Sequence, residues 1–237
     1  MKLQKVQKLP ASLCDAEVRL SVVGAFQIVE DMVTELMGMM KIDGVTCMRE
    51  YGAMWVFVRN RIEFLQPIAW MEEYTAESYI SSFSNVKLLI DTVLKKQNGT
   101  IALASRLELC AVDLETQKIR KSSTVGLGET TPAEKSEIDI VFSREKYHPA
   151  ELLEEICSRS SDIDYCHHTN NISYIRYLLN QISVKDLMEH PIKTIEVQYV
   201  NQTHEGDKLA VYRCEGEGLF TIQRDGRPAV NCIITRE

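Results

Sequence analysis

The sequence predicts an α+β protein in which one unit, a helix followed by antiparallel strands, occurs twice. Three observations support this prediction. Two segments with apolar residues at helical spacing are each followed by several runs of strand character. An Asn-Gly pair and an Asp-Gly pair, each between two such runs, indicate one hairpin in each copy. The length of 237 residues exceeds a typical single core, which favours two modules.

In the first copy, apolar residues recur at helical spacing over residues 18–41, which predicts a long helix with Ser21 as its N-cap. A curved sheet wrapped around such a helix would bury it on nearly every side. We expect a loop from the helix to about Tyr51, and a hairpin at Asn98-Gly99 with positive φ at both residues. The predicted strands cover residues 54–64, 72–82, 86–95, 100–112 and 118–122.

In the second copy, apolar residues from Tyr174 to Leu187 predict one helix that ends before Pro191, because proline disfavours helix in the residue before it. Asp225-Gly226 is the matching hairpin, and Glu72 of the first copy is paired with Glu205. A polar, non-periodic stretch separates the copies. The predicted strands cover residues 194–199, 208–215, 218–224 and 229–235, and the predicted domains are 1–128 and 141–237, joined by a linker at 129–140.

Composition excludes several classes of protein. A net charge of −7 argues against nucleic-acid binding, because neutralising phosphates needs a basic face. Seven scattered cysteines without a CxxC pair form neither a disulfide framework nor a zinc site. The apolar runs are too short to span a membrane, and the N-terminus has no signal-peptide pattern. We therefore expect a cytoplasmic protein without a metal, another cofactor or a membrane partner.

One segment is more polar than a helix start requires. Between Ser158 and Asn171 lie several aspartates, histidines and asparagines, of which helix capping explains only one or two. Asp164 and His168 would place a carboxylate and a titratable imidazole beside a helix N-terminus, whose amides can stabilise a developing oxyanion. His167 is expected to point into solvent or to cap a strand end. The isolated histidines receive no functional role; they are His148, His190 and His204.

The run Asp-Ile-Asp-Tyr-Cys-His-His-Thr-Asn-Asn at 162–171 resembles the acyl-acyl carrier protein thioesterases, whose second hotdog domain carries Asp-x-Asn-x-His-x-Asn-Asn before a helix. The segments 55–59, 62–63, 72–73 and 112–116 resemble that family's first hotdog domain. The resemblance implies a tandem (double) hotdog fold, with two antiparallel sheets each wrapped around a long central helix. It also implies a thioesterase that hydrolyses fatty acyl-acyl carrier protein and so ends fatty acid elongation.

The same resemblance assigns roles to residues of the second domain. Asp164 takes the position of the catalytic aspartate and His168 that of the histidine. Cys166 stands where the family has asparagine, and Gln202 where a later strand carries glutamate. Because glutamine cannot accept the proton, base duty would pass to His168 or Asp164. A competing scheme makes Cys166 a nucleophile activated by His168. Asn170 and Asn171 are expected to cap the helix, to hold the loop or to do both, with an indirect effect on catalysis, and they are also candidate substrate-binding residues.

In this family the first domain holds the acyl chain, which makes Met32, Met37 and Trp55 the expected substrate-binding residues. The partner would be acyl carrier protein, with the acyl chain on its phosphopantetheine arm. Coenzyme A thioesters, a non-catalytic acyl-binding role and a hotdog dehydratase remain open alternatives. A homodimer also remains open, since dimerisation is common for the fold. Three groups could form a basic docking patch: Arg59 with Arg61, Lys118 with Arg120 and Lys121, and Arg159 with Arg176.

Overall fold

The structure, a computed structural model, describes residues 1–128 and 133–236 and shows an α+β fold with antiparallel strands. The chain divides into two compact units, Met1–Val141 and Phe142–Glu237. No helix within the described ranges is both long and apolar enough to cross a membrane.

Within its described residues, the first unit contains one antiparallel sheet and two α-helices. The sheet order is β1-β3-β4-β5-β2, and the short β6 pairs with the end of β5. Helix α1 packs against β1, β3 and β4. The element bounds are β1 Lys2–Lys8, α1 Val22–Met39, α2 Gly44–Tyr51, β2 Ala53–Phe64, β3 Glu73–Phe83, β4 Leu88–Lys96, β5 Ile101–Asp113 and β6 Ile119–Arg120, with 3-10 turns at Ala11–Leu13 and Ser122–Thr124.

The second unit has the same order of elements and of strands. Its sheet runs β7-β9-β10-β11-β8, which repeats β1-β3-β4-β5-β2 of the first unit strand for strand. The element bounds are β7 Pro149–Cys157, α3 Asn171–Leu179, α4 Val184–Glu189, β8 Ile192–Tyr199, β9 Lys208–Cys214, β10 Leu219–Arg224 and β11 Arg227–Arg236, with a 3-10 turn at Ser160–Asp162.

Helix α1 matches the predicted helix, and the Ser21 hydroxyl accepts from the Gly24 amide as the predicted N-cap. Residues 24–29 are almost entirely buried, whereas the second half of the helix exposes Asp31, Thr34 and Glu35. The expectation of burial on nearly every side is therefore wrong for that half. The polar residues there form a solvent face, which keeps the apolar stripe on the other side against the sheet.

Two helix predictions are wrong. The expected loop before Tyr51 contains α2, whose N-cap Asp43 accepts from the Thr46 amide. The single helix expected over 174–187 is split into α3 and α4, because the chain leaves the helix at Asn180 and Ser183 caps a new one. In both cases the local signal for a helix start is an aspartate or a serine whose side chain accepts from the amide three residues later.

The predicted strands are present within a few residues, but both opening strands, β1 and β7, were not predicted. Their residues are mostly exposed, so neither shows the buried alternation that indicates a strand. The Asp225-Gly226 turn has positive φ at both residues, as expected for a tight hairpin. In the other hairpin only Gly99 has positive φ, so a longer turn replaces the expected one.

Part of the predicted linker, residues 129–132, lies outside the described residues. Residues 133–140 belong to the first unit, where Arg106 holds them. Its guanidinium donates to the Ile140 carbonyl at 2.5 Å and to the Ser136 hydroxyl at 3.0 Å. Both oxygens of the fully buried Asp91 accept from the same guanidinium at 2.8 Å. This segment is thus anchored to the sheet through a buried ion pair.

Candidate functional site

The motif between the 3-10 turn and α3 forms a loop that closes on itself. The Asp164 amide donates to the His168 carbonyl at 2.9 Å, and the His167 amide donates back to the Asp164 carbonyl at 3.0 Å. Ile163 and Thr169 form an antiparallel bridge across its base. His167 is exposed, with a φ of 61°, in agreement with the expected solvent-facing position. The loop carries its side chains directly in front of a helix.

The Asp164 carboxylate fixes this loop from inside. Its Oδ1 accepts from the Cys166 amide at 2.8 Å and from the His168 amide at 3.4 Å. Asn170 is the N-cap of α3, and its Oδ1 accepts from the Ile172 amide at 2.7 Å. Asn171 is the first residue of that helix. The predicted catalytic aspartate therefore positions the backbone of the predicted catalytic histidine.

His168 faces a second histidine. Its ring centroid lies 5.0 Å from that of His204, with the ring planes 72° apart in an edge-to-face arrangement. Burial lowers the pKa of the half-buried His168, and the neighbouring His204 lowers it further, while Asp164 acts in the opposite direction. The lowered pKa favours the neutral form of the His168 imidazole, which can accept a proton.

His204 comes from the loop between β8 and β9, and sequence reasoning gave it no role. Thirty-six positions separate it from His168, so no local spacing could have joined them. The loop is held by Asp207, whose Oδ2 accepts from the His204 amide at 2.8 Å and from the Arg224 guanidinium at 2.6 Å. The His204 Nδ1 lies 3.9 Å from the same oxygen.

A chain of buried hydroxyl groups connects the two loops. The Thr203 hydroxyl donates to the Thr169 hydroxyl at 2.7 Å, and the Tyr174 hydroxyl is 2.7 Å from Thr203. Ser158 completes the chain, 3.0 Å from Thr169. All four side chains are nearly inaccessible to solvent, and burial raises the pKa of Tyr174. The Thr169 amide also donates to the Thr203 carbonyl at 2.8 Å, which fixes the loop of His204 against the motif.

Cys166 and Gln202 occupy different environments. Cys166 is half-buried, and burial together with the Asp164 charge raises the pKa of its thiol. A nucleophilic cysteine would need the opposite shift. Gln202 is exposed, and it lies in the β8–β9 loop between Asn201 and the buried Thr203. Its neighbour Thr203 contacts the motif through Thr169, and the role of Gln202 stays a prediction.

The predicted acyl-binding residues lie in the first unit. Met32 and Met37 are on α1 and Trp55 is on β2, and all three are buried. The indole Nε1 of Trp55 is buried without a hydrogen-bond partner in the described chain. Their part in substrate binding remains a prediction.

The first unit contains the same loop without the histidines. Asp15 closes it, and its Oδ1 accepts from the Glu17 and Arg19 amides at 2.9 Å each. Its own amide donates to the Arg19 carbonyl at 2.7 Å, and Val18 has the φ of 61° that His167 has in the second unit. The N-cap Ser21 follows, as Asn170 does in the second unit. Arg19 therefore stands where the second unit has His168.

The return loop is duplicated as well. The Glu72 carboxylate accepts from the Ala69 amide at 2.8 Å and pairs with Lys96 at 3.1 Å, as Asp207 does with His204 and Arg224. Glu72 therefore occupies the position in the first unit that Asp207 occupies in the second. The predicted equivalence of Glu72 with Glu205 is wrong by two residues. The hydroxyl-bearing positions of the second unit are apolar in the first: Leu9, Leu20, Ala25 and Ile68 match Ser158, Thr169, Tyr174 and Thr203.

The two units thus share one backbone scaffold, and only the second carries imidazoles and a hydroxyl chain on it. Among the described residues, no cluster of three or more histidine, cysteine or acidic side chains could hold a metal ion. The arrangement in the second unit offers a neutral imidazole beside a helix start, which suits activation of a water molecule.

Residues 145–225 match the family model described as the acyl-ACP thioesterase C-terminal domain. The chain is 21% identical over 174 residues to oleoyl-acyl carrier protein thioesterase 1, chloroplastic, from Arabidopsis thaliana, a match that covers 68% of this chain and 48% of that protein. The chain therefore spans about half the length of this plant relative.

The whole chain is matched by solved structures of acyl-carrier-protein thioesterases, of which two are compared with it. An acyl-ACP thioesterase from Bacteroides thetaiotaomicron has a TM-score of 0.83 at 18% identity, with 98% of that chain covered. The 12:0-ACP thioesterase from Umbellularia californica has a TM-score of 0.81 at 12% identity, with 97% covered. At these identities the likeness shows a shared fold. Together with the match over residues 145–225, it confirms the predicted resemblance of this chain to the acyl-acyl carrier protein thioesterases.

Proposed function

We propose that the protein is a thioesterase that hydrolyses fatty acyl-acyl carrier protein to a free fatty acid and the carrier protein. The observation that carries this proposal is the closed loop that holds His168 in front of α3, in the unit that matches the family's C-terminal domain, and burial lowers the pKa of this imidazole. The duplicated scaffold with the same strand order supports a tandem hotdog fold with the chemistry in the second unit.

His168 acts as the general base in the proposed mechanism. It accepts a proton from water as the water oxygen attacks the thioester carbonyl carbon. The tetrahedral intermediate then collapses, the carbon–sulfur bond breaks, and the leaving thiolate takes the proton back from His168. Asp164 positions His168 through the loop amides. The products are the fatty acid and the carrier thiol.

The start of α3 offers fewer oxyanion donors than the sequence implied. Asn170 already accepts from the Ile172 amide through its side chain and from the Ser173 amide through its carbonyl. The Asn171 amide has no acceptor within the described chain, and we propose it as the donor to the developing oxyanion. Each such donor contributes roughly 3 to 4 kcal/mol to the transition state.

The acyl chain is proposed to bind in the first unit, against α1 and β2, with Met32, Met37 and Trp55 in contact with it. Flexible thioether side chains suit a long, featureless alkyl chain. Substituting Met32 by tryptophan should shift the preferred substrate to shorter chains, whereas an unchanged chain-length profile would argue against this location.

The carrier protein is proposed to dock beside the motif. Of the basic groups predicted from sequence, Arg61 pairs with Glu63 at 3.0 Å and Arg120 with Asp113 at 3.5 Å. Arg159 and Arg176 are exposed, and neither forms a salt bridge with a described residue. They are the candidates for contact with an acidic partner. A basic docking patch predicts that turnover of the carrier substrate falls with ionic strength.

Three further properties are proposed with the activity. All seven cysteines are unpaired, which suits a reducing compartment, and we propose the cytoplasm. We expect the acids released to come from fatty acid biosynthesis. Dimerisation remains an expectation that a mass measurement in solution would decide.

The test is thiol release from acyl-acyl carrier protein and acyl-coenzyme A of matched chain lengths. We expect turnover with the carrier substrate and a loss of about 10²- to 10⁴-fold in His168→Ala. His190→Ala is the matched control, because His190 is an exposed histidine at the end of α4. Faster turnover of coenzyme A esters would favour the acyl-CoA alternative. Acyl binding without release from either donor would favour the non-catalytic alternative.

A separate measurement decides between water and cysteine attack. Mass spectrometry after rapid mixing with an acyl thioester should find no acyl group on Cys166, because its raised pKa keeps the thiol protonated. Cys166→Ser should retain turnover. A trapped acyl-cysteine at this position would reject water attack as the first step.

A further inference from the structure

We propose that His204 is a positioning residue for the base: its imidazole packs edge-on against His168 and holds that ring in place as the proton acceptor. This inference rests on the proposed thioesterase function, and it assigns a role that neither the family motif nor the sequence pattern gives to His204. The direct observation is the contact between the two rings, with centroids 5.0 Å apart.

The position of His204 is fixed by its backbone, independently of its side chain. Asp207 accepts from the His204 amide at 2.8 Å and is itself held by Arg224 at 2.6 Å. On the neighbouring residue, Thr203 joins the buried hydroxyl chain and accepts from the Thr169 amide. The loop therefore presents the imidazole at a defined place beside the motif.

The first unit shows that the loop does not need a histidine to fold. Ala69 occupies the equivalent position, and its amide donates to Glu72 at 2.8 Å just as that of His204 donates to Asp207. Leu20 and Ile68 make the backbone contact that Thr169 and Thr203 make, also at 2.8 Å. The His204 side chain is thus an addition to a complete scaffold, and it occurs only in the unit that carries His168.

The contact has a steric and an electrostatic part. The ring of His204 occupies the space on one side of His168 and so limits its rotamers, while slightly over half of the His204 side chain stays exposed. The charged and titratable groups around the pair are Asp164 and His167 on the motif loop, Asp207 on the return loop and Arg224 on β10. A positive charge on His204 disfavours a second positive charge on His168.

Three variants separate these parts. His204→Ala removes both, His204→Phe keeps an edge-to-face ring without a charge, and His190→Ala is the control. The readouts are the pH dependence of kcat/KM and the pKa of His168 itself, measured by NMR and assigned with a His168→Gln sample.

We expect His204→Ala to lower kcat/KM about tenfold or more, since small displacements of a catalytic group are costly. In this variant the acidic limb of the kcat/KM profile should move to higher pH and the pKa of His168 should rise. The reason is that the His168 ring becomes more exposed to solvent and loses a neighbour that can carry the same charge. His204→Phe should restore most of kcat, with a smaller upward shift of the pKa. The control should match the wild type in all readouts.

Active His204 variants with an unchanged pH profile and an unchanged His168 pKa would overturn the positioning role and leave the proposed function standing. A wild-type protein that releases no thiol from any acyl donor would overturn the proposed function and this role together. The two failures are therefore distinguishable in one set of samples.

Discussion

Substitutions of Asp164 can distinguish two roles of its carboxylate: holding the loop, and taking part in the chemistry. Its Oδ1 accepts from the Cys166 and His168 amides at 2.8 and 3.4 Å. Asparagine keeps an oxygen acceptor at this place and removes the charge, whereas alanine removes both. If Asp164 acts by positioning, Asp164→Asn should keep most of the activity and Asp164→Ala should lose stability.

The magnitude follows from the two hydrogen bonds. Leaving two partly buried amides without their charged acceptor costs about 1 to 3 kcal/mol in Asp164→Ala, and the long second bond favours the lower end. Asp164→Asn should lower the free energy of unfolding by less than about 1 kcal/mol, since its side-chain oxygen can still accept from both amides. Urea unfolding measures the free energy of unfolding, and thiol release on the same samples measures kcat/KM.

Asp15 provides a matched control within the same chain. It accepts from the Glu17 and Arg19 amides at 2.9 Å each, in the equivalent loop of the first unit. Because these bonds are exposed, Asp15→Ala should cost less, about 0.5 to 1.5 kcal/mol of unfolding free energy, without lowering kcat/KM of the folded protein. A loss of stability without a loss of activity in this variant would show that only the second loop serves catalysis.

One result would refute the positioning role. If Asp164→Asn unfolds like the wild type but loses about 10²- to 10⁴-fold in kcat/KM, the negative charge of the carboxylate itself takes part in the chemistry. The role of Asp164 would then exceed the positioning of the loop, and the mechanism would need a step that uses its charge.

Three further predictions follow from other buried groups. Thr203→Val should cost about 1 to 3 kcal/mol in urea unfolding, because the Tyr174 hydroxyl loses its partner in the buried chain; no change would mean that water replaces it. The folded-state pKa of His168 lies below its ordinary value of 6.5, so the unfolded chain takes up the proton first and stability falls as pH drops below about 6.5. His168→Gln should remove that part of the pH dependence between pH 5 and 7.5, and an identical dependence would contradict the lowered pKa. Asp91→Ala should lower the free energy of unfolding by about 3 to 5 kcal/mol, because it leaves the Arg106 guanidinium without its buried partner. Proteolysis within residues 133–140 should accelerate in this variant, and Asp91→Asn should lose less stability.

Local signals in the sequence predicted the strands well. Alternating or continuous apolar runs between turn residues identified β2 to β5 and β8 to β11, since a buried strand needs such runs. The same criterion missed β1 and β7, because their residues are mostly exposed and show no buried apolar run. It also joined α3 to α4, because apolar spacing continues across the break at Asn180.

The candidate site could be predicted only in part. The motif supplied Asp164, His168 and Asn170, because one loop and one helix start hold all three. His204 was missed, since a histidine in a polar turn has no local feature that distinguishes it. The register of the repeat was also misjudged there, because Glu72 and Asp207 correspond through their contacts and not through their neighbours in sequence.

The sequence by itself determined the class of fold, the two copies and the segment of the candidate site, because these depend on periodicity and on residues close together in the chain. Only the tertiary structure decided which groups meet. It placed His204 against His168 and joined the hydroxyls of Thr169, Thr203 and Tyr174 by hydrogen bonds. It also raised the pKa of the Cys166 thiol through burial. Contacts between distant segments, and the burial that shifts a pKa, arise only once the sheet has brought the loops together.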